Sequence, residues 1–268
     1  MKKGILSLAV TILFFTQVSP SFAVESLTCW FPPGWKSKPG QAQNIVKALS
    51  EKSETTINPR IAKSYPEILR AFASGKPSLV YVGSFVQTII HARDIGAPLV
   101  QNINGKEFYS GVLIYPKGQD PAAILNNFPE KIAFAAGASS GESTAKAATN
   151  GKASIKTPNH VASVGAVKSG RAKAGVVKNW WWEANNGRYP GLEMYAIPGI
   201  SEQKNPDNVL TASKSVPADV QKKITDAALQ SKALFGATEM VPFDTHNIEF
   251  SLDLMEKGKI DPMTYNWN

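Results

Sequence analysis

A hydroxyl-rich turn follows a strand-length apolar run in the middle of the chain. Residues 131–135 are predicted to form a strand, Ser139 and Ser140 lie in the turn, and a helix is predicted to begin near Ser143. Free backbone N–H groups and the positive end of the dipole at a helix start suit a bound oxyanion. A second interpretation is open, because Ser139 and Glu142 also have the spacing of a capping box, which would satisfy the helix start internally.

Two other turns carry side chains of similar chemistry. Tyr65 and Ser84 each lie where a predicted strand, at residues 56–61 and 78–82, gives way to a predicted helix. In an open α/β sheet such turns gather at the carboxyl ends of the strands, where ligands bind. Their recurrence in a basic chain favours an anion site over unrelated helix caps.

The charge of the chain limits its partners. The formal net charge is +8, and removal of Lys2 and Lys3 with a signal peptide leaves +6, which favours an acidic partner. We expect no nucleic acid, because the lysines are scattered and do not alternate with aromatic residues. His91, His160 and His246 are far apart and lack metal-ligand spacing, so we expect no metal and no cofactor.

The first residues are typical of an export signal. Two lysines precede an apolar stretch at residues 5–18, and Ser21-Phe22-Ala23 forms a small-x-Ala cleavage site. Residues 1–23 are therefore predicted to be a signal peptide, with a mature protein in the periplasm of a Gram-negative cell. The chain has one cysteine, Cys29, so no internal disulfide can form, and we expect this thiol to be buried in the first strand.

Strands and helices alternate along the rest of the chain, which predicts an α/β fold. The alternation runs to about His91 and restarts after a strand at residues 109–115. Extended segments at residues 115–118 and 197–206 are predicted to join two units. The predicted division is residues 24–116 in lobe 1, 117–198 in lobe 2, and 199–268 returning to lobe 1. A cleft between the two lobes would hold a ligand, and the two connecting segments would permit hinge closure.

Several segments, taken in order, resemble the PhnD-like family of periplasmic ABC-transporter binding proteins for phosphate, phosphite or phosphonate. The resemblance covers most of the mature chain. It lies in residues 64–72 (SYPEILRAF), 78–85 (SLVYVGSF), 106–114 (KEFYSGVLI), 139–141 (SSG), and 170–177 (GRAKAGVV) together with His160.

The resemblance implies a two-lobed, type II-like periplasmic binding protein with an oxyanion in the cleft between the lobes. It places Ser139 and Ser140 on a helix start of the second lobe, Tyr65 and Ser84 on the first lobe, and His160 beside them. The implied partners are a small anion of the phosphonate, phosphite or phosphate class and an inner-membrane ABC permease. We expect a monomer that imports its ligand and catalyses no reaction.

The chain departs from the family pattern at three of these segments. Lys173 stands where the family usually has an aspartate. Gly141 stands where the family has a third hydroxyl residue, which removes one side-chain donor. After Gly83 the family tends to have a proline and then a tyrosine, whereas Ser84 and Phe85 follow here.

Other functions remain open at this point. Residues 137–141 fit Gly-x-Ser-x-Gly, the nucleophile elbow of serine hydrolases; Ser139 would be the nucleophile and His160 or His246 the base, although Asp244 is a cramped partner for His246. Residues 31–34 (FPPG) resemble the opening loop of tripartite-tricarboxylate binding proteins, which bind carboxylates. A sensory binding protein would keep the same architecture.

Three adjacent tryptophans, Trp180, Trp181 and Trp182, are predicted to point in different directions from a helix start. Core packing is the favoured role, while one of them could face a cleft, with Trp30 and Trp35 as its opposite wall. Asn179, just before them, is predicted to be a helix N-cap.

Overall fold

The computed structural model describes residues 26–267. The predicted signal peptide and its cleavage site lie outside this range. The strands are β1 Leu27–Phe31, β2 Ile57–Ile61, β3 Ser78–Val82, β4 Gly96–Ile103, β5 Phe108–Tyr109, β6 Gly111–Pro116, β7 Ile132–Ala135, β8 Ile155–Thr157, β9 Ala174–Lys178, β10 Leu192–Tyr195, β11 Asn205–Pro206, β12 Val209–Ser213 and β13 Glu239–Pro242. The α-helices are α1 Pro39–Ser53, α2 Tyr65–Ala73, α3 Ser84–Ala92, α4 Pro121–Asn127, α5 Gly141–Ala148, α6 His160–Lys168, α7 Asn179–Asn185, α8 Ala218–Leu229 and α9 Glu249–Lys257.

Two sheets form the centres of two lobes. The first has the order β13-β4-β12-β3-β1-β2 and the second the order β10-β6-β9-β7-β8. In the first, β1 pairs in parallel with β2 and β3, and β12 lies antiparallel between β3 and β4. In the second, β7 pairs in parallel with β8 and β9, and β6 lies antiparallel between β9 and β10. The two lobes therefore repeat one strand arrangement, and the predicted two-lobed α/β fold is confirmed.

The chain crosses between the lobes twice, and the two crossings pair with each other. β5 in the first crossing is antiparallel to β11 in the second. The first crossing lies between the end of β4 at Ile103 and the start of β6 at Gly111. The prediction of a crossing at residues 115–118, and of a lobe boundary at 116, was wrong because the whole of β6 belongs to the second sheet. The turn at residues 116–118 lies within the second lobe and leads to α4.

Both faces of each sheet are covered by helices, which explains the apolar strands. Successive residues of a strand point to opposite faces. In β1, Cys29 and Phe31 therefore pack against α1 and α8, while Trp30 packs against α2 and α3. In β6, Leu113 lies on the face covered by α4 and α5, and Val112 lies on the face covered by α6 and α7. Cys29 is fully buried with a free thiol, as predicted.

The C-terminal part of the chain contacts both lobes. β13 extends the first sheet and α8 packs on α1, whereas α9 packs mainly on α5 of the second lobe and also on α3. The prediction that residues 199–268 return to lobe 1 is therefore corrected for α9. Across residues 26–267, no helix has the length and hydropathy needed to cross a membrane.

Candidate functional site

The five sequence-predicted site residues all lie where a parallel strand leads into a helix. Tyr65, Ser84 and His160 are the first residues of α2, α3 and α6, which follow β2, β3 and β8, and Ser139 and Ser140 form the turn between β7 and α5. The carboxyl ends of parallel strands meet at one edge of a sheet. Each lobe therefore has its predicted site residues at the edge of its sheet where the parallel strands end.

A tyrosine from the first crossing brings two of these helix starts together. The Tyr109 Oη atom lies 2.7 Å from Ser84 Oγ and accepts a hydrogen bond of 3.1 Å from the Ser140 backbone N–H. Ser84 belongs to the first lobe and Ser140 to the second, so one hydroxyl group links the lobes. Burial raises the pKa of Tyr109, which keeps the phenol protonated. From the sequence, Tyr109 was predicted only as part of a strand.

The capping-box interpretation of Ser139 and Glu142 is wrong. Glu142 Oε2 accepts hydrogen bonds from the Gly137 N–H at 2.8 Å and from Tyr265 Oη at 2.7 Å. Its other oxygen, Oε1, lies 3.1 Å from Lys146 Nζ. The carboxylate therefore holds the turn from behind, and it does not bond to Ser139.

Both serine hydroxyls of the turn are consequently available. Within the part of the chain that the structure describes, Ser139 Oγ and Ser140 Oγ are buried atoms without a hydrogen-bond partner. Ser140 occupies the N-cap position of α5 and makes no side-chain cap bond. A buried hydroxyl normally makes a hydrogen bond, so two adjacent unpaired hydroxyls at a helix start indicate a candidate site for a polar ligand.

The C-terminal residues cover this turn and contact Tyr65. The Trp267 ring stacks on Tyr65 with 5.8 Å between centroids, and its Nε1 donates to the Gly137 carbonyl at 3.2 Å. Gly137 has a φ of +62°, and a Cβ atom there would overlap the Trp267 indole. Burial, with Tyr109 nearby, raises the pKa of Tyr65 to about 12, so its phenol is a donor at neutral pH.

A buried ion pair lies beside Tyr109. Lys178, at the end of β9, places Nζ 2.8 Å from Asp207 Oδ1 and 4.2 Å from the ring centroids of both Tyr109 and Trp180. The Lys178 and Asp207 side chains are only 18% and 15% exposed. Neither residue was predicted, because Asp207 comes from the second crossing and only the fold brings it to Lys178.

His160 shares this environment. Burial, with the Lys178 charge as a second cause, lowers the pKa of His160 to about 4, so the imidazole is neutral at pH 7. Among residues 26–267, its Nδ1 atom is buried and has no hydrogen-bond partner. The ring lies 5.6 Å from the ring of Trp181. A neutral imidazole can donate or accept one hydrogen bond at that nitrogen.

The three tryptophans diverge, as predicted for adjacent positions on a helix. Trp182 is core and stacks on Tyr189 at 6.0 Å, Trp181 contacts His160, and Trp180 contacts Tyr109. Two of them therefore line the site region.

Trp30 and Trp35 do not form an opposite wall. Trp30 packs against Arg60, and Trp35 packs against Phe31 in the core of the first lobe. Asn179 is also not the N-cap: α7 begins at this residue, and its Oδ1 accepts the Ser110 N–H at 3.0 Å, which fixes the first crossing.

The serine hydrolase alternative requires a base hydrogen-bonded to Ser139. Within the described range, the Ser139 hydroxyl has no hydrogen-bond partner. His246 Nδ1 lies 2.8 Å from Asp244 Oδ1, so the partner that was predicted to be cramped does reach it. Both side chains are largely exposed, at 78% and 63%.

Comparison with known proteins gives a consistent result. A family model described as "ABC transporter, phosphonate, periplasmic substrate-binding protein" matches residues 40–239. No curated protein sequence matches the chain.

Solved structures of the same fold share little sequence with it. XAC2383 from Xanthomonas citri bound to ATP has a TM-score of 0.72 at 12% identity, over 88% of this chain and 97% of that one. PhnD1 from Prochlorococcus marinus in complex with methylphosphonate has a TM-score of 0.66 at 16% identity, over 87% and 98%. A binding protein component of an ABC phosphonate transporter from Pseudomonas aeruginosa, PA3383, has a TM-score of 0.62 at 12% identity, over 87% and 88%.

At such identities the solved structures establish the fold, while the family model spans most of the sequence. The resemblance noted in the sequence is confirmed: the chain belongs to the family of periplasmic substrate-binding proteins of phosphonate ABC transporters.

Proposed function

We propose that this protein binds a phosphonate, phosphite or phosphate anion between its lobes and delivers it to an inner-membrane ABC permease. The proposed contacts are Tyr65, Ser84, Ser139, Ser140 and His160. The observation that carries the proposal is the pair of buried, unpaired hydroxyls of Ser139 and Ser140 at the start of α5. The Tyr109 hydroxyl joins the Ser140 backbone N–H to Ser84 of the opposite lobe.

The protonation states support an oxyanion ligand. Tyr65 has a pKa of about 12 and His160 a pKa of about 4, so at neutral pH the phenol is a donor and the imidazole is neutral. Hydrogen bonds from such groups to a charged acceptor are short and strong. The start of α5 adds free backbone N–H groups and the positive end of its dipole.

The charges around the site are arranged in pairs. Lys178 is paired with Asp207, and Glu142 with Lys146. The Glu142 carboxylate, which would repel an anion if it were unpaired, is thereby neutralised. The anion is therefore bound chiefly by neutral donors and helix dipoles.

We also infer that the protein is exported by cleavage near Ala23, acts as a monomer in the periplasm, and breaks no bond in its ligand.

Calorimetric titration of the mature protein tests the proposal. Phosphate, phosphite and methylphosphonate are the expected ligands, with sulfate and succinate as competitors of different chemistry. A hydrogen bond to a charged group contributes about 1.5–3 kcal/mol, so Ser139→Ala and Ser140→Ala should each weaken binding roughly 10- to 100-fold. Tyr65→Phe should weaken it in the same direction.

Ser231→Ala is the matched control. Its Oγ is likewise buried and unpaired within the described chain, but it lies after α8 in the first lobe, so ligand affinity should not change. Unchanged affinity in both Ser139→Ala and Ser140→Ala would refute the site. Tighter binding of succinate than of every phosphorus oxyanion would favour the carboxylate alternative.

A cellular assay separates transport from sensing. A strain without this protein should lose uptake of the ligand identified by calorimetry, and the wild-type gene should restore it. Normal uptake, with a lost transcriptional response to the ligand, would show a sensory role instead.

A further inference from the structure

Lys178 occupies an environment that proteins use to bind ammonium ions. Its Nζ lies 4.2 Å from the ring centroids of Tyr109 and Trp180 and 2.8 Å from a carboxylate oxygen of Asp207. A cation over aromatic faces is attracted by the ring quadrupole, most strongly when water is excluded. These three residues, which we name the cation cage, enclose an ammonium group that belongs to the chain itself.

The cation cage adjoins the proposed anion site. One of the two rings in contact with the Lys178 ammonium is that of Tyr109, whose hydroxyl contacts Ser84 and Ser140. The other ring, Trp180, has a buried Nε1 without a hydrogen-bond partner in the range 26–267. A ligand held at Ser140 would therefore direct its substituent toward groups that neighbour the cage.

The cage and its ion pair draw on the second lobe and on both crossings. Lys178 is the last residue of β9 and Trp180 lies in the first turn of α7, both in the second lobe, whereas Tyr109 and Asp207 come from the first and second crossings. The ion pair therefore forms only when the crossings lie against the second lobe. Its side chains are less than one-fifth exposed, which leaves little solvent between the ammonium and its partners.

We infer that Lys178 determines ligand specificity: its ammonium fills the cation cage, so that the cleft selects oxyanions without a positively charged substituent. This inference rests on the proposed function. A ligand that carried its own ammonium group would meet the charge of Lys178 and would find the Asp207 carboxylate already paired. Removal of the Lys178 side chain would leave two aromatic faces and a free carboxylate for such a ligand.

Two isosteric probes test the inference. n-Propylphosphonate and 2-aminoethylphosphonate have the same number of heavy atoms and differ in a terminal methyl or ammonium group. Wild-type protein should bind the propyl compound at least tenfold more tightly. In Lys178→Ala, the ratio of the two dissociation constants should shift by at least tenfold toward the ammonium compound.

A double variant and a control assign the effect to the cage. Lys178→Ala combined with Asp207→Asn removes the carboxylate and should abolish the gained preference for the ammonium compound. Lys222→Ala removes a lysine that pairs with Asp226 on the exposed face of α8, and its ratio should equal that of the wild type.

Several results would overturn the inference. Wild-type protein that binds the ammonium compound more tightly refutes it without any variant, and so does an unchanged ratio in folded Lys178→Ala. If the wild-type protein does not bind phosphate, phosphite or methylphosphonate, the proposed function itself is refuted. Binding of these three with an unshifted ratio refutes only the role of Lys178.

Discussion

Replacement of Glu142 by glutamine tests how the turn before α5 is held. The Glu142 side chain is 1% exposed, and its Oε2 accepts hydrogen bonds from the Gly137 N–H at 2.8 Å and from Tyr265 Oη at 2.7 Å. Glutamine has nearly the same shape and can keep one carbonyl acceptor in place. The substitution therefore removes the charge while it leaves the packing nearly unchanged.

The expected loss of stability follows from these contacts. Hydrogen bonds to a charged group contribute about 1.5–3 kcal/mol against about 1 kcal/mol for neutral ones, so two bonds lose about 1 kcal/mol each. The new amide Nε2 would also face the ammonium of Lys146, which is 22% exposed, and loss of such a pair costs about 1 kcal/mol. We expect the free energy of unfolding to fall by about 3 kcal/mol, which for a chain of this length corresponds to roughly 6–12 °C in Tm.

Urea unfolding followed by circular dichroism measures this loss, and a second carboxylate gives the control. Glu67 at the start of α2 also accepts a backbone N–H, from Lys63 at 2.8 Å, and pairs with Arg60 at 2.9 Å, but near the surface. Glu67→Gln should therefore destabilise the protein much less. Equal stability of Glu142→Gln and Glu67→Gln would refute the view that this carboxylate holds the turn.

Two further predictions concern the groups around the cleft. Tyr109→Phe removes the acceptor of the buried Ser140 N–H, which should cost about 1–3 kcal/mol of unfolding free energy; stability equal to that of the wild type would contradict the bridging role of this hydroxyl. The pKa of His160 is about 4 in the folded protein against 6.5 for the free side chain, so between these values the unfolded chain binds the extra proton. The unfolding free energy should therefore be fully present above pH 6.5 and fall by up to about 3 kcal/mol as the pH drops to 4. Urea unfolding at pH 7.5 and 4.5 should show this loss in wild-type protein and a smaller loss in His160→Gln. Equal losses of unfolding free energy in the two proteins would contradict the prediction.

The parts of the fold that depend on local pattern could be predicted from the sequence. The apolar runs around Cys29 and Leu79 mark strands buried on both faces, and the hydroxyl turns mark the helix starts. The location of the first crossing could not be predicted in this way. The apolar sequence pattern of β6 would be the same in either sheet. Only its pairing with β9 and β10 assigns it to the second lobe.

The contacts of the candidate site were also beyond prediction from local sequence pattern, because they join residues far apart in the chain. Ser139 and Ser140 were found because a helix start has a local signature, but the choice between cap and ligand contact depended on Glu142. That carboxylate turns toward Gly137 and Tyr265, and Tyr265 lies 123 residues further along the chain. Lys178 and Asp207 are 29 residues apart and belong to different elements, so no spacing rule relates them.

The fully buried Cys29 makes the protein well suited to fluorescent labelling. Burial raises the pKa of its thiol, and thiol reagents attack the thiolate of an accessible cysteine, so the native side chain should stay unmodified in the folded state. Since the sequence contains no other cysteine, a pair of cysteines introduced on the outer surfaces of the two lobes would carry the dyes alone. Energy transfer between the dyes would then report lobe motion in real time, with no need to remove the natural thiol first.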